Sequence, residues 1–348
     1  MSDRPEIPHS RPTLTREDRE AVAACLTVGS IAQGRLVEAF EATVASRLGK
    51  AHAVASASGT SALVLALRGL GLRPGVEVIL PSYVCYAVRD AVLAAGASPV
   101  YCDIGAGWSM TPEAVERVVT PRTGAIVVVH NFGIAVPSGA FRRFGVPLVD
   151  DICQSFGAPI PPGADVTCAS FQATKLLTTG EGGMVLTDDA VLIERVRLLR
   201  DGAHGRRGDR VPAPLTDLQA ALGLSQLARF EGFLARRKAI ADTYFRDLDG
   251  LACRLPLDLR QRSIFFRFPL RVARPFEEVQ RAFMKLGIHV RRGVDALLHH
   301  ADGASSEHFP GTEEAFAETV CLPILPSMSD DDVTRVVLGT REIFSHAP

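Results

Sequence analysis

Lysine is scarce in this chain. Of 38 basic residues only four are lysines: Lys50, Lys175, Lys238 and Lys285. Each can therefore be weighed on its own. Lys50 follows Gly49 at a predicted helix end, and Lys285 lies in a last helical turn before Gly287, positions where a cation suits the helix dipole. Lys238 belongs to an Arg-Arg-Lys run on a helix face. Lys175 differs. It stands just past an apolar strand, in SFQATKLLTTGEGG, among hydroxyls and before glycines. A lysine withdrawn from water loses part of its preference for the charged form and becomes a usable nucleophile or base. On spacing alone, a solvated loop lysine is the simpler reading.

Three further segments can hold or polarise a ligand. Gly59-Thr60-Ser61 follows a strand and opens a helix, so free backbone N–H groups, the positive helix end and two hydroxyls face one spot. A plain helix cap is the commoner use of such a string. Asp150-Asp151 ends the apolar run before Ile152-Cys153-Gln154. The carboxyl end of a buried strand is where open α/β sheets bind ligands. Two carboxylates there suit a metal or a protonated heterocycle, and no histidine pattern nearby favours the metal. His130 ends another predicted strand and reads either as a substrate contact or as a structural histidine. Neither a dinucleotide fingerprint nor a phosphate-binding P-loop sequence occurs.

These segments need a frame. Apolar runs at 53–57, 76–80, 99–103, 125–129, 146–149, 164–171 and 183–187 alternate with helical patterns at 59–69, up to Ala95, and from Thr111-Pro112-Glu113. That alternation predicts an α/β fold with a mostly parallel sheet covered on both faces. Thr216 then caps one long predicted helix running to Leu248. A smaller α+β region follows, with strands at 264–272 and 288–291, a helix at 276–286 and a final helix from Asp330. The expected domains are 21–235 and 236–348, with residues 1–20 as an arm on the smaller one. Hydrophobic residues make up 47% and net charge is −1, which excludes a basic nucleic-acid groove. Seven scattered cysteines without a C-x-x-C pair, and no apolar run long enough for a bilayer, fit a cytoplasmic protein.

In order along the chain, SASGTSALVLAL (56–67), PGVEVILPSYVCYAV (74–88), VDDICQSFGA (149–158), SFQATKLLTTGEGGMVLTDD (170–189), LTDLQAALGLSQL (215–227) and CLPILPSMSD (321–330) resemble the DegT/StrS-type sugar aminotransferases of the fold type I pyridoxal 5'-phosphate (PLP) enzymes. The resemblance implies that Lys175 carries PLP as a Schiff base. Asp151 would face the ring nitrogen and Gln154 the phenolic oxygen, while Gly59, Thr60, Ser61 and Ser170 would hold the phosphate. It implies a homodimer with sites at the subunit interface. Glutamate or glutamine would be the donor, and the acceptor a keto sugar, nucleotide-linked, or a related cyclic ketone.

The chain also departs from the family. Where relatives place an aromatic ring over the cofactor, this chain has Cys85, with Tyr86 beside it. Before the TDLQAA helix, Val211-Pro212-Ala213-Pro214 lacks the asparagine and arginine that reach across the dimer. The phosphate is then expected to be held within one subunit, with Arg206, Arg207 and Arg210 as the nearest basic replacements. Arg267, in Phe265-Phe266-Arg267-Phe268 where relatives have histidine and tyrosine, reads either as a contact for an anionic substrate group or as a packed, paired arginine between apolar neighbours. Two rivals remain: a sugar dehydratase of the same family, against which Lys175 argues, and a non-catalytic sugar- or PLP-binding regulator.

Overall fold

A computed structural model describes residues 5–73, 75–159, 161–202 and 210–345. Helices α1 (Arg16–Val28) and α2 (Arg35–Arg47) lead into β1 (His52–Ser56), α3 (Gly59–Gly69), β2 (Glu77–Pro81), α4 (Tyr86–Ala94), β3 (Ser98–Cys102), α5 (Pro112–Glu116), β4 (Thr123–Val129) and β5 (Leu148–Asp151). Then follow β6 (Val166–Ser170), β7 (Gly183–Thr187), α6 (Ala190–Asp201), α7 (Asp217–Ala228) and α8 (Phe230–Asp247). The C-terminal part contains β8 (Phe268–Arg271), α9 (Phe276–Lys285), α10 (Leu298–Ala301), α11 (Pro310–Glu318), β9 (Thr319–Leu322) and α12 (Asp330–Phe344).

Strands β1 to β7 form one sheet in the order β1-β7-β6-β5-β4-β2-β3. All pairs are parallel except those of β7, which runs against both β1 and β6. The expected α/β fold with a mostly parallel, two-sided sheet is what the chain adopts. Alternation along each strand divides the core. Val54, Val127, Val129, Val149, Cys168 and Val185 pack under α3, α4 and α6. Ala53, Ala55, Met184 and Leu186 face the opposite way, towards α2 and Phe230. Ile126, Val128 and Leu148 share that second side, against Val115 of α5. A further core joins α8, α9, α12, β8 and β9 to Tyr83, Trp108 and Phe132 of the sheet loops.

Three expectations need correction. The long helix is two, because Arg229 leaves helical geometry at φ −114° and ψ 5°. Its guanidinium is drawn to Asp18 instead. The strand expected at 264–272 shrinks to Phe268–Arg271, since Phe265 sits at φ 54° and Ile264 donates to the Gly133 carbonyl. Residues 288–291 make only isolated bridges, Ile288 to Ile7 and Arg291 to Cys321, because the two ends face different partners. The partner that β8 does take, β9, ends on the Cys321-Leu322 start of the CLPILP segment, which the sequence pattern does not mark as a strand.

The N-terminal segment divides its contacts. Ile7 bonds to Gly287 and His289, whereas α1 lies along α7. Buried Asp18 makes that second attachment. It accepts from Thr15 N–H at 2.9 Å, Ser225 Oγ at 2.8 Å, Gln226 Nε2 at 2.8 Å and Arg229 Nη2 at 2.6 Å. Burial alone would push its carboxyl up. The Arg229 guanidinium, the Thr15 N–H and the Ser225 hydroxyl outweigh that and hold it below the ordinary value. A depressed folded value means the contribution is present above the unfolded pKa and disappears as pH falls through the folded one. Asp18→Ala, which orphans these donors, is expected to lower unfolding free energy by about 2–3 kcal/mol at neutral pH. Denaturant melts at pH 7 and pH 3 should show that difference shrinking in acid.

Candidate active site

The site is assembled on the α3 side of the sheet, at the carboxyl ends of β5 and β6. Strand parity decides which of the two aspartates reaches it. Val149 and Cys168 point to the α3 side, and Asp151, opposite Cys168 in register, points with them. Its Oδ1 accepts the Cys153 N–H at 2.9 Å, an Asx-type turn that fixes the carboxylate plane. Burial pushes the Cys153 thiol well up, so that sulfur stays neutral beside Asp151.

Asp150 belongs to the other side. It accepts the Ser138 hydroxyl, and His130 Nε2 lies 3.1 Å away, off the line of a hydrogen bond. His130 Nδ1 takes the Val136 N–H at 3.0 Å, and the ring is fully buried. His130 and Asp150 thus brace the loop after β4. The expectation that His130 lines the crevice is corrected, because it points one residue out of phase with Asp151. An open cavity of about 320 Å³ on that side, lined by Arg47, Lys50, Asp150 and Thr167, is separate from Lys175.

Lys175 is half-buried in the turn after β6. Its amine lies 5.4 Å from the centroid of Phe266, and among the described residues the lysine ion pairs are those of Lys50 and Lys238, not Lys175. Withdrawal of its sulfur from water pushes the Cys85 thiol up first of all, and the charges of Lys175 and Asp151 act on it in opposite senses. Cys85 therefore opens onto the same space. Tyr86 begins α4 and turns outward, under the Arg89 guanidinium at 5.0 Å.

The start of α3 completes this space. Ser58 caps the helix by accepting the Ser61 N–H at 3.1 Å, and its hydroxyl meets that of Ser61 at 3.0 Å. The Gly59 and Thr60 N–H groups, first in the helix, have no intrahelical acceptor. Gly59 must be glycine: a Cβ there would lie 2.7 Å from Ser170 Cβ and 3.3 Å from Cys153 Sγ. Gly183 is equally constrained, since a Cβ would meet the Ser58 carbonyl at 2.1 Å. Gln154 accepts the Phe132 N–H at 2.9 Å through Oε1, which orients its amide and leaves Nε2 to donate.

Arg267 stands behind Phe266, 5.7 Å from that ring's centroid. Its Nη1 donates to the carbonyls of Arg292 at 2.8 Å and Gly293 at 2.7 Å, while Nε is buried with no hydrogen-bond partner among the described residues. Of the basic residues before α7, Arg210 is described, with Nε 3.3 Å from the Arg200 carbonyl. Arg206 and Arg207 lie outside the described residues. Sequence reasoning missed Phe266 as the neighbour of Lys175, and it missed Phe132. Phe132, Trp108 and Phe265 are buried aromatics in the left-handed region, at φ 58°, 57° and 54°. Such strain costs about 1–3 kcal/mol per residue and concentrates around functional sites.

The model of the DegT/DnrJ/EryC1/StrS aminotransferase family matches residues 12–340. The chain belongs to that family. The spore coat polysaccharide biosynthesis protein SpsC of Bacillus subtilis (strain 168) is 32% identical over 98% of each chain. DesV of S. venezuelae, solved in complex with a ketimine intermediate, is 31% identical over 99% of this chain and 100% of its own, with a TM-score of 0.91. DesI, solved in the presence of its TDP-sugar product, is 28% identical over 98% of this chain and 93% of its own, with a TM-score of 0.90. The protein is a PLP-dependent aminotransferase of sugar biosynthesis with the fold type I architecture. The residues present fit that cofactor: an amine without a carboxylate partner, a buried carboxylate turned to the same side, and a helix start where Gly59 leaves no side chain in the way.

Proposed function

We propose that this enzyme moves an amino group from glutamate or glutamine to a keto sugar, nucleotide-linked, in amino-sugar biosynthesis. The observation that carries this reading is the arrangement of Lys175, Asp151, Cys85 and the α3 start around one space. When bound, PLP supplies the electron sink for amino transfer. In this reading Lys175 anchors the cofactor and moves the proton. Asp151 keeps the ring nitrogen protonated, Gln154 Nε2 donates to the phenolic oxygen, and Cys85 rather than the outward Tyr86 covers the ring. Arg267 contributes positive charge for an anionic substrate group. The nucleotide-linked acceptor is supported by DesI, whose product is a TDP-sugar. Exposed Leu26, Val28 and Ile31 support a homodimer, and seven free cysteines fit the cytoplasm. The division at residue 235, with an N-terminal arm, is part of the same proposal.

The test is a half-reaction. The cofactor is converted to its amine form with glutamate or glutamine and freed of donor. Nucleotide-linked keto sugars, free keto sugars and cyclitol ketones are then offered separately. Return of the aldehyde-form absorbance with the nucleotide-linked set alone is the expected result. Return only with the free ketones would sink the acceptor assignment.

We place the phosphate at Gly59, Thr60, Ser61 and Ser170 of a single subunit. Pro212 and Pro214 have no N–H to offer, and Ala213 turns its carbonyl inward to accept from Ala57 N–H at 2.8 Å. Gly59→Ala, which forces Ser170 aside, is expected to raise the PLP dissociation constant at least about tenfold, or about 1.4 kcal/mol. Ser170→Ala should raise it by a smaller factor. Dialysis against PLP with absorbance readout measures both. If substitutions at Arg206, Arg207 or Arg210 release PLP while Ser170→Ala does not, a cross-subunit cation holds the phosphate instead.

A further inference from the structure

Outside the active site, one cluster converges as a ligand set would. His299 and His300 are consecutive residues of the short helix α10, and Glu313 lies on α11. Both imidazole Nε2 atoms approach the same oxygen, Glu313 Oε1, at 3.0 Å from His299 and 2.5 Å from His300. The three donor atoms lie within 4.8 Å of one another. A tetrahedral Zn²⁺ with bonds near 2.0–2.1 Å spaces its ligand atoms about 3.4 Å apart, so a small rotation of the exposed members closes the set. We propose that His299, His300 and Glu313 bind a borderline transition-metal dication, with Zn²⁺ as the occupant.

The surroundings support a built site. His299 is fully buried and its ring is stacked on Phe309, with centroids 4.1 Å apart and planes 17° apart. Its Nδ1 meets Ser82 Oγ at 2.7 Å. That hydroxyl donates to a bare Nδ1 or accepts from a protonated one. His299 can therefore change tautomer, exposing an Nε2 lone pair to a cation, without losing this hydrogen bond. Glu313 is positioned from the far side. Asp103 accepts the N–H groups of Gly311 at 3.0 Å and Thr312 at 2.7 Å, which fixes the first turn of α11. The His300 side chain is 47% exposed and that of Glu313 32%, so water can reach a fourth coordination position. Two imidazoles and one carboxylate select Zn²⁺ or its transition-metal neighbours over Ca²⁺ or Mg²⁺, which prefer all-oxygen sets. The bound ion would tie α10 and α11 to Ser82, three residues before Cys85. It is thus a structural brace for the loop on which Cys85 stands.

The experiment uses the PLP-loaded protein, treated with EDTA, dialysed metal-free and titrated with ZnCl2 against a chromophoric chelator. One Zn²⁺ per chain is expected, with a dissociation constant at or below about 1 µM and a rise in melting temperature on binding. His300→Gln and Glu313→Gln, both partly exposed positions, should each weaken binding at least about tenfold. His289→Gln, whose ring pairs with Glu6 elsewhere, should leave it unchanged. Unaltered PLP absorbance in each variant reports that the fold is kept. The proposal is overturned if wild-type protein binds no Zn²⁺ tighter than about 100 µM. It is equally overturned if the His300 and Glu313 variants bind as wild type does, which would place the ion on cysteines or cofactor.

Discussion

Lys175→Ala is expected to abolish turnover, with kcat falling by more than about 10⁴-fold. A positioned acid–base group contributes about 10²–10⁴ by itself, and the covalent anchor is lost with it. No other lysine can substitute. Lys50 pairs with Asp188 at 2.9 Å on the surface, and Lys238 pairs with Asp242 at 3.0 Å along α8. Lys285 ends α9, in the C-terminal part of the chain. Lys175 alone meets an aromatic ring, Phe266, in place of a carboxylate. An ion pair would hold its amine to one partner, whereas the ring face leaves it free to turn. Borohydride should fix the cofactor to the peptide containing Lys175. A label on Lys50, Lys238 or Lys285, or turnover surviving in Lys175→Ala, would refute the assignment. Phe266→Ala should retain the label and lose part of the rate, since it touches the amine without replacing it.

The sheet and most site residues were legible because they follow local rules. The strands from 53 to 187 are apolar runs bounded by turn residues, and their boundaries shift by only one or two residues between expectation and structure. Gly59 was legible as a helix start. Its reason for being glycine, the approach of Ser170 from another strand, was not. The failures share one cause: tertiary contacts outweighed local pattern. Arg229 breaks an otherwise continuous helical pattern because Asp18, more than two hundred residues earlier, claims its side chain. Phe265 leaves an apparently good strand because Ser263 and Ile264 bond to the carbonyls of Phe132 and Gly133 in the loop after β4. His130 ends its strand as expected, but its phase relative to Asp150 becomes visible only once β4 and β5 are in register.

That same phase argument predicts opposite outcomes for two adjacent carboxylates. Asp151→Asn should lower kcat by about 10³-fold or more with the fold intact. An amide keeps the Oδ1 that accepts the Cys153 N–H, so the side chain stays oriented and only the charge opposite a protonated ring nitrogen is removed. Asp150→Asn should behave in reverse. Its partners are the Ser138 hydroxyl and His130, both on the other side of the sheet. The expected cost is about 1–2 kcal/mol of stability, with kcat within about an order of magnitude of wild type. Measuring both variants for kcat and for denaturant midpoint separates the roles, because a merely structural aspartate moves the midpoint and a ring-facing one moves the rate. If Asp150→Asn proves the crippling change and Asp151→Asn the mild one, the assignment of faces in β5 is off by one residue. The ring nitrogen would then have to be sought on the side of His130.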